Sequence, residues 1–187
     1  VRTKTKTSQF IFLVFVAAMV IPFQIVMFPL ISWFRTVFQV TGIRLLRTYL
    51  GIVIAYLGFG LSLSVFMYHG FIKQIPFELE EAAIIDGSRL PEVFFRIIFP
   101  LLTPVHATIG ILHGIWIWND FLLPLLVLGK GNRIQTLPLA VANFAGAYVK
   151  QWDLILTAIL MAMIPVVIFF FIAQKRIVKG MVAGSIK

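Results

Sequence analysis

The chain has 187 residues, 60% of them hydrophobic and 12% charged, with a mean hydropathy of +1.01. Soluble domains carry about a quarter charged residues, so this composition excludes an ordinary water-soluble domain and points to one polytopic membrane unit over 1–187. Cysteine is absent, which excludes a disulfide framework, a thiolate metal site and a thiol nucleophile, and the net charge of +9 suits basic loops on the inner membrane face better than a nucleic-acid partner.

A helix needs about 20 apolar residues to span a bilayer. Four uncharged stretches meet that length, at about 10–31, 48–72, 97–119 and 154–174. The third can break and resume to 129, because a further apolar run follows directly after Asp120. Pro22, Pro29, Pro104, Pro124 and Pro165 sit within apolar runs and are expected to kink or interrupt helices. The chain opens at Val1 on a basic segment without a cleavable leader pattern, so it reads as a fragment or an unusual start.

Lys and Arg divide unevenly between alternate loops. Arg2, Lys4, Lys6, Lys73, Arg89, Arg96, Lys175, Arg176, Lys179 and Lys187 fall on one side. Arg35, Arg44, Arg47, Lys130, Arg133 and Lys150 fall on the other. The larger set predicts the cytoplasmic side, with both ends of the chain and the middle loop 73–100 inside.

That loop gathers most of the acids. Pro76 suits the first turn of a helix, and Glu78, Glu80 and Glu81 would lie at its positive end. Leu79, Ala82 and Ala83 share a shallow face, Gly87 suits a left-handed cap, and Ser88 can begin a second helix. Leu90, Val93, Phe94, Ile97 and Ile98 then recur at helical spacing, with Glu92 four residues before Arg96 on the opposite face. The expectation is a helix, a glycine turn and a second helix lying beneath the membrane, shaped to seat in a groove on a soluble partner. A solvated inter-span loop is the plainer alternative.

Glu81-Ala82-Ala83, three residues, Gly87, nine residues and Ile97-Ile98-Phe99-Pro100 resemble the EAA motif of binding-protein-dependent ABC importer permeases. Phe99 stands where leucine is usual in that family. The longer run through Asp86 and Gly87 is similar to the carbohydrate type, in particular the smaller membrane subunit of the maltose importer. Trp118-Asn119-Asp120-Phe121, Thr136-Leu137-Pro138-Leu139, Val178-Lys179-Gly180 and Ala183-Gly184 agree with that resemblance.

The resemblance implies an all-α bundle of the type I importer permease fold, set multi-pass in the bacterial cytoplasmic (inner) membrane. It implies a pathway for a sugar or oligosaccharide delivered by an extracytoplasmic solute-binding protein, a second permease subunit and a cytoplasmic ABC ATPase dimer. Membrane lipid surrounds such a protein, and no nucleic acid is involved. ATP and Mg would sit on the ATPase, with no cofactor, metal or catalytic residue on this chain. Glu81, Ala82, Ala83, Asp86, Gly87 and Pro100 would couple to the ATPase. The segment 180–187, with Gly180, Gly184 and Ser185, would reach it as a tail; a basic tail held at anionic lipid is the alternative. The match begins beyond the first spans of such permeases, so an amino-terminal pair of spans is expected to precede the chain.

Trp116, Trp118, Asn119 and Asp120 combine aromatic faces with hydrogen-bonding groups, as a sugar hydroxyl array needs; an interfacial aromatic belt is the competing reading. Asn143 and Phe144 are weaker pathway candidates. His106 and His113 lie two turns apart, yet no acid shares their face, so packing or a hydrogen bond outweighs a metal site. Gln24, Ser62, Ser64 and Tyr68 are expected to hydrogen-bond between helices, and Gly58, Gly60 and Gly70 to mark close helix packing. No Gly-Lys-Ser/Thr run is present, so ATP hydrolysis is not expected here.

Three other readings compete. A glycerol phosphate ester or similar small solute would want a basic pathway residue, which the spans do not offer. A secondary transporter would favour acids inside spans. A membrane-embedded hydrolase or transferase would need an intramembrane carboxylate pair, an activated serine or a metal-ligand pair, and the polar groups are isolated.

Overall fold

A computed structural model describes residue 2, residues 5–142 and residues 152–183, with side chains as far as residue 171. Every regular element among the described residues is helical: α1 (Lys6–Val20), α2 (Phe23–Thr41), α3 (Tyr49–Gln74), α4 (Glu78–Ile85), α5 (Leu90–Leu101), α6 (Thr103–Asn119), α7 (Leu122–Val127), α8 (Leu137–Val141) and α9 (Trp152–Ala183). Phe23–Thr41, Tyr49–Gln74 and Trp152–Phe171 are each long and apolar enough to cross a membrane, and α5 with α6 makes a fourth if that bent pair is one span.

The stretch 10–31, read above as one span, is two helices. Pro22 has no N–H to give and disfavours helical backbone at Ile21; it sits extended at φ −61°, ψ 137° and starts α2 instead. α2 then runs through Pro29 to Thr41, where Gly42 (φ +73°) closes it by donating its N–H to Phe38 O at 2.8 Å. The third stretch is also not straight. Its first residues belong to α5, which meets α6 at a 64° bend. Pro104 cannot bond back to Pro100, and the Thr103 hydroxyl takes up that carbonyl at 2.6 Å.

The helices divide into two packed units. The first comprises α1, the later half of α3, α4, α5 and the first part of α6. Its core is Ala83, Val93, Ile98, Leu102, Val105 and Ile109, covered by Met67, Phe71 and Ile72 of α3. The second comprises α2, the start of α3, the end of α6, α7, α8 and the first part of α9. Phe34 and Leu139 are fully buried there beside Leu123, Val127 and Leu128.

In the second unit the loop between α2 and α3 is tied down by its backbone. Arg47 adopts left-handed geometry (φ +64°), donates its N–H to Val127 O at 2.9 Å and accepts from the Asn132 side-chain amide at 3.3 Å. Gly51 lies under Leu45, so close that a Cβ would meet Leu45 O at 1.9 Å. Of the three glycines expected at close packing, Gly60 does approach a neighbour, the His113 ring; Gly58 and Gly70 face open space.

Candidate functional site

The acidic loop in the first unit folds as a helix, a tight turn and a second helix. α4 begins after Phe77, whose carbonyl accepts the N–H groups of both Glu80 and Glu81, so Pro76 precedes the helix rather than opening it. Three carboxylates occupy the first turn, where the helix dipole favours them. At the far end Gly87 has φ +87°, its N–H bonds Ile84 O and the Ser88 N–H bonds Ala83 O, each at 2.9 Å. This paired pattern uses a left-handed residue to satisfy the last carbonyls, as expected for Gly87.

Ser88 does not begin the next helix, because its N–H is committed to that cap. Arg89 takes the position with extended backbone (φ −77°, ψ 153°), and the Glu92 carboxylate accepts its N–H at 2.9 Å. The expected Glu92–Arg96 pair is loose, at 4.0 Å with both side chains exposed. Inside α5 the Phe99 N–H reaches Phe94 O, one residue further than in a regular helix. That wider turn aligns Val93 with Ile98, which are buried, and leaves Leu90 and Phe94 exposed, unlike the regular spacing anticipated.

Burial sorts the motif residues. Ala83 is 7% exposed and packs into the core of its own unit, which anchors α4 there. Glu81, Ala82, Asp86 and Gly87 are exposed, as are Ile84 and, at 85%, Ile85. Glu80 is held by Arg2, in an ion pair of 2.6 Å; the same guanidinium reaches Ile75 O at 2.9 Å and covers the Phe77 ring. Pro100 is exposed in the last turn of α5.

His106 stands at the bend that follows. Its Nε2 lies 3.1 Å from Phe99 O and its Nδ1 2.7 Å from the Tyr68 hydroxyl. A carbonyl can only accept, so Nε2 carries the hydrogen and Nδ1 accepts from Tyr68. The chain of bonds links α3, α6 and the end of α5 and fulfils the inter-helix role expected of Tyr68. The sequence reading had not joined these two residues; a polar Tyr and His in adjacent apolar helices was the available signal. Among the described residues no three His, Asp or Glu side chains gather as metal ligands.

The second unit holds a cavity of about 600 Å³ lined by Trp118, Asn119, Phe121, Leu137, Met163, Val166 and neighbouring apolar groups of α8 and α9. The Trp118 indole donates to Ala162 O at 3.3 Å, and the Asn119 amide donates back to Ile115 O at 2.7 Å. Trp116 and Asp120 do not line this cavity. Trp116 packs edge-on against Tyr56 with centroids 5.6 Å apart. Asp120 Oδ1 accepts the N–H groups of Leu122 and Leu123, at 3.1 and 3.4 Å, and so caps α7. Its second oxygen and the Tyr56 hydroxyl are both buried without a hydrogen-bond partner among the described residues. Leu137 and Pro138, singled out above for resemblance alone, form part of the cavity wall. Asn143, Phe144, Gly184 and Ser185 lie outside the described residues, and Gly180 falls within α9.

Residues 1–183 match the model of the family described as binding-protein-dependent transport system inner membrane component. The whole chain is 46% identical to the probable starch degradation products transport system permease protein AmyC of Thermoanaerobacterium thermosulfurigenes, and covers 65% of it. It is 36% identical over its full length to the melibiose/raffinose/stachyose import permease protein MelC of Bacillus subtilis, again covering 65%. It is 34% identical over 99% of its length to the multiple sugar-binding transport system permease protein MsmG of Streptococcus mutans, covering 65%. The chain therefore spans just under two thirds of the length of these relatives. A chain whose described elements are all helical, with membrane-length apolar helices and a match over nearly its whole extent, belongs to the binding-protein-dependent transport system inner membrane components.

Proposed function

We propose that this chain belongs to a permease subunit of an ATP-driven importer and forms a membrane pathway for a sugar or oligosaccharide. The relatives' names speak of starch products, raffinose-type sugars and multiple sugars, which supports a carbohydrate. A solute-binding protein delivers the sugar outside; a cytoplasmic ATPase dimer and a second permease subunit complete the transporter. Both ends of the chain and the α4–α5 loop face the cytoplasm.

The observation that carries this reading is the exposed knob at the end of α4. Ala83 fixes the helix to its unit while Glu81, Ala82, Ile85 and Asp86 project, which suits docking in an ATPase groove. Movement of the ATPase then reaches the spans through α5 and its bend into α6. Gly87 sets the turn between the two helices, and Pro100 ends the segment. The cavity beside Trp118 supplies an aromatic face and an amide, and no ionisable side chain lines it among the described residues. That supports a neutral solute over a phosphate ester. Gly180, with Gly184 and Ser185 beyond it, would bring the carboxyl end against the ATPase.

The test is affinity purification of the full-length parent in mild detergent, beside Glu81→Lys and Gly87→Val variants. A β-branched residue at φ +87° breaks the turn. The ATPase and a second permease are expected to co-purify with the parent, with the ATPase lost from either variant. ATPase recovery that ignores both substitutions would remove α4 as the docking element.

A further inference from the structure

Three arginines converge on one pocket in the second unit. Arg35 comes from α2, and Arg44 and Arg47 from the loop that follows; with Phe38, Leu45 and Leu46 they line a cavity of about 280 Å³. Arg44 lies over the Phe38 ring, 5.6 Å from its centroid. Among the described residues no carboxylate pairs with any of the three guanidiniums. Five of the chain's seven acids lie at 78–92 in the other unit. Three cations held around one space repel each other, and an anion between them relieves that repulsion.

We infer that this pocket binds the phosphate of an anionic phospholipid. The guanidinium fork suits a phosphate better than an ammonium does, and the pocket contains arginine without lysine. Depth chooses the lipid over a soluble acidic partner. Arg35 is not on the loop: it lies six residues before the end of a membrane-length helix, or about 9 Å along the axis. A protein arriving from water meets Arg44 and Arg47 first, whereas a lipid headgroup at the interface reaches all three. The same pocket has an apolar wall for the upper acyl chain, and only 6% of the α2 span is buried within the protein. Exposed Trp33 and Phe38 flank Arg35 on α2, as aromatic residues do at a membrane interface. In the orientation proposed above these arginines lie on the outer face, where basic residues are fewer, so a bound anion also accounts for their clustering there.

The experiment uses the full-length protein in bilayer discs of phosphatidylcholine with or without phosphatidylglycerol. Lipid retained after extraction into neutral detergent is read by native mass spectrometry. The variants are Arg35→Gln and Arg44→Gln, separately and together, with exposed Arg133→Gln as control. Phosphatidylglycerol retention is expected to fall about tenfold in the double variant, the loss of one charge-assisted hydrogen bond or more, while phosphatidylcholine and the control are unchanged. Arg44→Lys should fall between parent and Arg44→Gln. Arg44 is an exposed loop residue, so Arg44→Gln decides the matter if the α2 variant fails to fold. Equal retention of both lipids by the parent, or phosphatidylglycerol retention indifferent to the substitutions, overturns the inference. Unchanged lipid with weakened binding of the solute-binding protein does so too and assigns the pocket to that partner.

Discussion

At Gly51 the limit is backbone against backbone. A methyl group there would meet Leu45 O at 1.9 Å, and Leu45 is itself buried in the core with Phe34 and Ile52. Gly51→Ala should therefore lower stability by about 1–3 kcal/mol, the usual range for an overpacked site, read as a lower melting temperature in detergent. An unchanged melting temperature would show that the α2–α3 loop yields freely. Gly87 has the opposite constraint, open space and a left-handed φ of +87°. That one was legible beforehand, because a glycine after a run of helix formers is how helices commonly end. Ala83 was legible as small, but which way it faces was not: eight residues of α4 leave the register against α5 undetermined until the wider turn in α5 brings Val93 and Ile98 round to meet it.

Among the elements, the junction of α5 and α6 carries the most. Pro104 leaves the Pro100 carbonyl without its helical partner at the 64° bend, and His106 donates to the Phe99 carbonyl while accepting from Tyr68 on α3. If α4 and α5 transmit ATPase motion, this latch makes α3 move with them. Removing the hydroxyl in Tyr68→Phe loses about 1 kcal/mol, or about fivefold in an equilibrium. In proteoliposomes holding the proposed transporter, the partner ATPase should keep hydrolysing ATP while the variant imports about fivefold less sugar per ATP. Import equal to the parent's would leave His106 a packing residue. The break at Pro22 was anticipated as a kink within a span; it became a full stop because extended backbone at Pro22 closes one helix and begins another.

At the scale of the whole molecule, apolar surface left uncovered is the dominant feature. Within the membrane-length part of α9 almost everything but Ile155 is uncovered, and Leu160, Met161 and Phe171 are each more than 60% exposed. For helices of this composition the bilayer is the natural cover. Within the second unit, the cavity gives a second route to the function. Trp118→Ala should lower sugar uptake about tenfold if apolar contact worth about 1.5 kcal/mol is lost from the proposed pathway. The ATPase should still co-purify, since the substitution lies in the other unit from α4. Normal uptake would exclude Trp118 from the pathway.

Membrane residence, helical class, the acidic loop with its glycine cap, and the family resemblance could all be read from the chain alone. Hydropathy, turn chemistry and short motifs are local, and each is written within a few neighbouring residues. The grouping of Trp116, Trp118, Asn119 and Asp120 was only half legible. Trp118 and Asn119 line a cavity, whereas their neighbours Trp116 and Asp120 pack against Tyr56 and cap α7. Four polar and aromatic groups within five residues at a helix end point in different directions, and where each goes depends on which other helix lies there. The Tyr68–His106 latch and the three-arginine pocket share that origin. Their members are far apart in sequence or on opposite sides of a turn, so packing alone brought them together.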